Sequence, residues 1–223
     1  MNNLIKKTII GLVLYVAIPK VNAQVYNWAK LDSFNHIARV YTGLNNGVIY
    51  GLQYGKIIHL KRTILIPFLD LSLPFGNRVI DDYKVKLGTS LKLLQTKKLI
   101  LSGGVSILNQ RYENPFAKMQ NVGLETALQF GLYKQKWFLN LSISNDYLFA
   151  THIKHSEAYK KNYDGAISGW YQNTANNLLM GLNLGYSFKK IDITLSPGII
   201  KTDGFKSSPT LPFYGKIGIN YKL

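Results

Sequence analysis

Asn121 to Phe149 reads NVGLETALQFGLYKQKWFLNLSISNDYLF. Val122, Leu124, Leu128, Phe130 and Leu132 share one parity, with Gly123, Glu125, Ala127, Gln129 and Gly131 between them. The alternation resumes with Trp137, Leu139, Leu141, Ile143, Tyr147 and Phe149, now interleaved with Asn140, Ser142, Ser144 and Asp146. A period of two means strands with one apolar and one polar face. Two such runs around a short break make a hairpin. A turn at Lys134-Gln135 predicts Leu132 opposite Trp137, Leu128 opposite Leu141, Gln129 opposite Asn140 and Glu125 opposite Ser144.

The same pattern extends in both directions. Strands are predicted at about 34–43, 48–60, 63–73, 83–94, 98–110, the two of the hairpin, 176–188, 191–200 and 211–223. A turn at Lys61-Arg62 sets Gln53 opposite Asp70, and Pro67, which lacks a ladder donor, predicts weak pairing beside it. Ten segments of roughly 10–13 residues match the 9–11 that a tilted strand needs to cross a bilayer. No amphipathic helix is available to cover the apolar faces. The fold class is therefore all-β: a transmembrane antiparallel up-and-down β-barrel of about ten strands, over 34–223.

The N-terminus supports export. Lys6 and Lys7 precede the apolar run Ile9–Ile18, Pro19 breaks it, and Val21-Asn22-Ala23 supplies small residues before Gln24. That is the pattern of a signal peptide over 1–23, too short to span a bilayer as a helix. Residues 24–33 have no pattern and read as a short periplasmic leader. The chain has no cysteine, which excludes a disulfide scaffold and a thiolate metal site.

The formal charge is +16. Its distribution argues against nucleic acid, which needs a continuous basic surface with stacking aromatics. Lys61, Arg62, Lys97, Lys98, Lys134, Lys136, Lys189, Lys190 and Lys222 instead cluster at the tight connections and the last strand. They predict a basic ring against anionic headgroups, with outer-membrane lipids as partner. Tyr133, Trp137, Phe138, Tyr186, Phe188 and Tyr221 predict an aromatic girdle at that rim. Connections at 74–82, 111–118, 150–175 and 201–210 are longer, so short turns and long loops alternate, with both termini on the short-turn side.

The signal peptide, the ten alternating segments and the closing strand Tyr214-Gly-Lys-Ile-Gly-Ile-Asn-Tyr-Lys-Leu223 together resemble a small bacterial outer-membrane β-barrel protein. The resemblance implies a Gram-negative outer membrane, periplasmic termini and recognition of the last strand by the barrel-assembly machinery. The family usually closes on Phe, where this chain has Leu223. The resemblance fixes architecture rather than function, because such barrels serve as porins, adhesins, enzymes and packing elements.

With the apolar faces on lipid, the lumen receives Arg39, Lys84, Lys86, Lys92 and Lys216, with Asp70, Glu125, Asp146 and Asp192. Buried charges must pair or be solvated. The interior reads as a plug of ion pairs and waters; the alternative is a narrow pore with an anion preference. A soluble barrel holding an apolar ligand would reverse the faces. Tyr159, Lys160, Lys161, Tyr163, Trp170 and Tyr171, in the longest loop, form the candidate outer-loop site for an extracellular or envelope partner.

Chemistry has weaker support. The omptin proteases are ten-stranded barrels with Asp and His at the outer rim. The nearest match here is Asp81-Asp82 with Asp146, His152 and His155, and no Asp-x-His pair occurs. Ser156 follows His155, but neighbours in a loop are not a dyad. His152, His155, Glu157 and Asp164 lack the fixed spacing of metal ligands. No cofactor is implied. The reading is a non-enzymatic envelope protein, with an outer-rim hydrolase on lipid or peptide as the alternative.

Overall fold

The computed structural model describes residues 25–45, 47–75, 82–203 and 211–223. The signal peptide over 1–23 and Asp81 lie outside them. Eleven strands form a single sheet: β1 (His36–Leu44), β2 (Val48–Lys56), β3 (Ile58–Leu60), β4 (Thr63–Pro74), β5 (Tyr83–Thr96), β6 (Leu99–Glu113), β7 (Ala117–Tyr133), β8 (Trp137–His155), β9 (Gly169–Phe188), β10 (Ile191–Asp203) and β11 (Phe213–Lys222). Sequence neighbours pair antiparallel, except that β2 and β3 both pair with β4, and β1 pairs with β11 from Ile37↔Lys222 to Leu44↔Gly215, closing the sheet into a barrel. Closure leaves no sheet edge, the condition for a β-structure to exist in lipid.

β2 and β3 are one stave of the barrel. Both pair with β4 in the same register, Gln53↔Asp70 and Ile58↔Leu65, so there are ten staves. The interruption at Ile57 lies one residue from the position facing Pro67, as the missing ladder donor requires. The amide of Ile57 instead donates to Asn35 O at 2.7 Å.

The two faces differ as the alternation requires. Leu52, Leu69, Leu87, Ile107, Leu141 (61% exposed) and Ile217 point outward, while Gln53, Asp70, Ser106, Glu125, Ser144, Asp192 and Asn220 are buried inside. Leucine outside and carboxylate inside is the reverse of a soluble core. This rules out the soluble barrel with an apolar ligand, which needs Lys84 and Lys86 outside.

Phe138 shows how the wall stays close-packed. It lies directly across from Gly185, and any Cβ there would collide with its ring.

The strand pairing differs from the expected register in one hairpin. Lys134 N donates to Trp137 O at 2.9 Å, so the turn is Gln135-Lys136 rather than Lys134-Gln135. Leu132 therefore faces Leu139, Leu128 faces Ile143, Gln129 faces Ser142 and Glu125 faces Asp146. The slip is by two residues, so every side chain keeps its face. The other tight turns are Lys61-Arg62, Lys97-Lys98 and Lys189-Lys190, between Leu60↔Thr63, Thr96↔Leu99 and Phe188↔Ile191. Lys97 and Lys189 open two of them with φ of 50° and 35°, the left-handed conformation such hairpins demand.

At the opposite end, the strands are longer than expected. β6 and β7 continue to a connection of only 114–116, and β8 and β9 leave 156–168, which holds the short helix α1 (Glu157–Asn162). The predicted loop at 111–118 is thus mostly strand, and half of the one at 150–175 is. At Phe149 the register shifts against both neighbouring strands, between Leu148 and Ala150. The shift reverses the facing pattern: Leu148 is interior below it and Thr151 interior above it.

Three residues assigned to the turn-end rim are interior instead. Tyr133 and Phe138 are buried and stack at 5.6 Å between ring centroids. Lys222 is fully buried and paired with Asp192 at 2.5 Å. Parity along their strands puts all three on the polar face. Trp137, Tyr186, Phe188 and Tyr221 do point out, and Lys134 lies 4.4 Å above the Trp137 ring.

Candidate functional site

The lumen is filled in layers. At the turn end, residues 25–31 enter the barrel, where the sequence indicated only a leader. Val25, Tyr26, Trp28 and Leu31 are buried against Ile37, Ile57, Ile64, Ile66, Ile100, Tyr133 and Phe138. These interior apolar residues form a collar, and Trp28, in a single 3-10 turn (Trp28–Lys30), inserts into it. Polar bonds seat the segment. Asn27 Nδ2 donates to Lys134 O at 2.9 Å and to Ser187 Oγ at 2.8 Å. Gln53 Nε2 donates to Tyr26 Oη at 2.7 Å, and Asn220 Nδ2 donates to Val25 O at 2.8 Å.

Above this plug lies a layer of charge. Lys84 Nζ is 2.5 Å from Asp146 and 3.6 Å from Glu125. Lys86 Nζ is 3.1 Å from Glu125 and 4.0 Å from Asp70. The Tyr41 hydroxyl donates to Asp70 at 2.9 Å. These residues come from β1, β4, β5, β7 and β8, so the network ties half the circumference together across the axis. Opposite it, Arg39 and Lys216 flank the Tyr41 ring, at 5.1 and 5.5 Å from its centroid. Between the two groups a cavity of about 70 Å³ remains, room for a few waters.

Of the nine lumen charges the sequence singled out, seven belong to this layer. Asp192 lies apart, near the turn end with Lys222. Lys92 is half-buried beside the register shift between Lys92 and Leu94 and lines none of this cavity. Tyr41 and Tyr214, which line the cavity, were not singled out; their odd-even position on β1 and β11 places them inward, but an aromatic residue carries no signal of a polar site by itself.

The loop end forms a second candidate site. From Trp137 to Phe149, twelve steps of about 3.3 Å at a tilt near 40° rise roughly 30 Å, the thickness of a bilayer core. His152 and Trp170, paired across β8 and β9 three residues further on, stand about 8 Å beyond it. Their rings are 5.1 Å apart.

Further out, Tyr159 stacks on Tyr163 at 4.7 Å and on His155 at 5.2 Å, and Phe116 from the neighbouring hairpin packs its edge at 5.9 Å. A cleft of about 680 Å³ is lined by Tyr159, Tyr163, Tyr171, Asn162 and Asp164, among others. Of the six residues expected here, Tyr159, Tyr163 and Tyr171 thus share a cleft. Lys160 turns to Glu157 at 3.0 Å, Lys161 is exposed on α1, and Trp170 lies apart with His152. Phe116 and Asn162 were missed; Phe116 sits in another connection, and nothing in sequence spacing links the two.

The residues weighed for catalysis do not assemble. Asp82 Oδ1 accepts from Glu113 N at 2.7 Å, Asp146 is held in the lumen, and Ser156 Oγ caps α1 by accepting from Tyr159 N. Among the described residues no three His, Asp or Glu side chains converge as a metal would need. Beside Asp82, Glu113 lies 2.6 Å from both Lys118 and Arg111. Hydrogen bonds from these two hold its carboxyl below the usual glutamate range.

No protein-family model matches this chain, and no curated protein matches it. Among solved structures, the COG4313 outer membrane channel from Pseudomonas putida F1 superposes with a TM-score of 0.58 at 11% identity, covering 90% of this chain and 100% of that one. The KdgM porin in complex with disordered oligogalacturonate gives 0.40 at 8% identity over 84% and 99% of the two chains. The outer membrane protease OmpT from Escherichia coli gives 0.39 at 8% identity over 85% and 94%. The closed ten-stave barrel, apolar outside and charged inside, has the fold of the outer-membrane β-barrel proteins.

Proposed function

We propose that this chain is an integral outer-membrane protein with a non-enzymatic envelope role: a closed barrel that presents its loop-end rim to a partner. The signal peptide over 1–23 exports it, and β11 directs insertion through the barrel-assembly machinery. The termini then face the periplasm, Leu87, Leu141 and Ile217 face acyl chains, and the exposed turn lysines face headgroups. The observation that carries the closed reading is the packed lumen: residues 25–31 fill the turn-end mouth and ion pairs cross the middle.

The rim supports an interaction role. Its aromatic rings stand above the apolar band, so headgroup anchoring does not account for them. Ring faces beside amide and carboxylate groups, as in Tyr159, Tyr163, Asn162 and Asp164, suit a saccharide of the envelope, whose C–H faces pack on rings while its hydroxyls take hydrogen bonds.

The test is conductance in planar bilayers. The intact mature chain should insert without channel events. Steady channels from the intact protein would overturn the closed reading. The second reading is a narrow gated pore, favoured by the few polar bonds that seat residues 25–31. Deleting 25–31 distinguishes them: a pore gated by this segment becomes permanently open, whereas a barrel closed by its own charge layer stays silent.

A further inference from the structure

We propose that the lumen holds a small monovalent anion on the wall formed by β1, β10 and β11, bound by Arg39, Ser196 and Lys216. The site is independent of the rim reading and of whether the barrel conducts.

Charge balance is the first observation. The mid-lumen layer has four bases, Arg39, Lys84, Lys86 and Lys216, and three acids, Asp70, Glu125 and Asp146. Lys84 and Lys86 take up all three acids at 2.5–4.0 Å. Among the described residues, Arg39 and Lys216 have no acid within 4.0 Å. One positive charge is left over in a space screened by protein and lipid. An uncompensated buried charge costs several kcal/mol, so the layer favours one bound negative charge.

Unused donors are the second observation. Arg39 is 7% exposed and Ser196 is 3% exposed. Arg39 Nε and Ser196 Oγ are buried with no hydrogen-bond partner. Among the described residues Arg39 makes one side-chain hydrogen bond, and it is long, Nη2 donating to Thr194 Oγ1 at 3.4 Å. A buried donor left unmade is costly, which makes each such group a pointer to a missing acceptor.

Placement is the third. Ser196 faces Lys216 directly across β10 and β11. A Cβ on Gly218, the next inward position along β11, would come 2.8 Å from Arg39 Nε, so the guanidinium lies over that glycine beside Lys216. All three residues border the same cavity of about 70 Å³. The two cations offer only N–H donors and the hydroxyl can turn its O–H toward the same space, the chemistry of an anion site. The volume admits a halide or formate, with water, and excludes a nucleotide or sugar phosphate.

The experiment measures the thermal midpoint of the full mature chain in neutral detergent at constant ionic strength. Sodium gluconate, too large for the cavity, is replaced stepwise by bromide in one arm and formate in the other. A saturable rise of the midpoint in either arm is expected; bromide alone identifies a halide site, and both together a general small-anion site. Lys216→Met should weaken the apparent affinity at least about tenfold, and Ser196→Ala should weaken it less. The exposed turn variant Lys61→Met should leave it unchanged. An unsaturable response that is the same in Lys216→Met, or no response in either arm, overturns the proposal. Should Lys216→Met fail to fold, Ser196→Ala and an anomalous bromide peak beside Lys216 in crystals decide it; absence of that peak with an unaltered Ser196→Ala titration also overturns it.

Discussion

Lys222 Nζ lies 2.5 Å from Asp192 Oδ1, and neither side chain reaches solvent. This pair links the last strand to its neighbour at the turn end, one inward position along β11 from Asn220, which bonds to Val25 of the plug. Burial makes it asymmetric in its consequences. Removing one partner strands a charge in a medium that cannot solvate it, whereas removing both does not. Lys222→Met and Asp192→Leu should each destabilise the barrel by roughly 3–5 kcal/mol, and the double variant by clearly less than either. Urea unfolding in lipid vesicles measures this cycle. Additive losses would mean that the pair is solvated.

The outer wall makes a different prediction. Leu141 is 61% exposed on β8, a third of the way along the apolar span from Trp137 to Phe149. If that face meets acyl chains, Leu141→Arg should cost about 2–4 kcal/mol of folding stability in vesicles. Thr96→Arg, exposed at the turn end of β5, should cost close to nothing. Equal effects at both positions would remove lipid from the account.

How much of this was legible in the sequence depends on which force left the trace. The two faces were legible, because lipid outside and charge inside impose a period of two on Val122–Leu132 and Trp137–Phe149. The register of that hairpin was legible only to within two residues. Lys134-Gln135 and Gln135-Lys136 are equally plausible two-residue turns, with no glycine or asparagine to choose between them. The upper ends of β6 to β9, at 111–113, 117–118, 150–155 and 169–175, were hidden, since there both faces are polar and backbone bonds alone continue the strand. The change of phase at Phe149 hid them further. Tyr133 and Phe138 were misplaced when residue type was allowed to outweigh parity. Residues 25–31 carry no periodicity at all, and their partners, such as Lys134, Ser187 and Asn220, lie more than a hundred positions away.

At the loop end, Glu113 gives a pH dependence whose sign is fixed. Lys118 and Arg111 lower its carboxyl pKa in the folded chain. A lowered folded pKa contributes stability that is present above the ordinary glutamate pKa and lost as pH falls through the folded value. The stability difference between the parent and Glu113→Gln should therefore be visible at neutral pH and vanish in acid. A difference that grew as pH fell would reverse the assignment.

The aromatic cleft predicts where partner binding is lost. Tyr163 is exposed and, among the described residues, stacks only on Tyr159, so Tyr163→Ala should leave heat-modifiable gel migration unchanged. If the rim binds a saccharide of the envelope, the same change should weaken binding of detergent-purified protein to lipopolysaccharide core oligosaccharide by about 1 kcal/mol or more, the scale of one ring contact. Trp170→Ala, on the separate pair with His152, should have a smaller effect. Unchanged binding in Tyr163→Ala would locate the partner elsewhere.

The plug carries the last prediction. Trp28 is 1% exposed and packs edge-on against Tyr26 at 5.8 Å inside the collar of Ile37, Ile64, Ile66 and Ile100. Trp28→Ala should cost roughly 3–5 kcal/mol of the energy that seats residues 25–31, as for any large aromatic removed from a close-packed core. Asn27→Ala removes the two bonds to Lys134 and Ser187 and adds a smaller loss. Because the barrel's backbone ladder does not depend on the plug, both variants should still insert and run as folded barrels. What changes is access: a cysteine placed at Ser102, buried in the lumen, should react with a membrane-impermeant thiol reagent from the turn-end side many times faster in Trp28→Ala than in the parent. Equal labelling rates would show that residues 25–31 do not close that mouth.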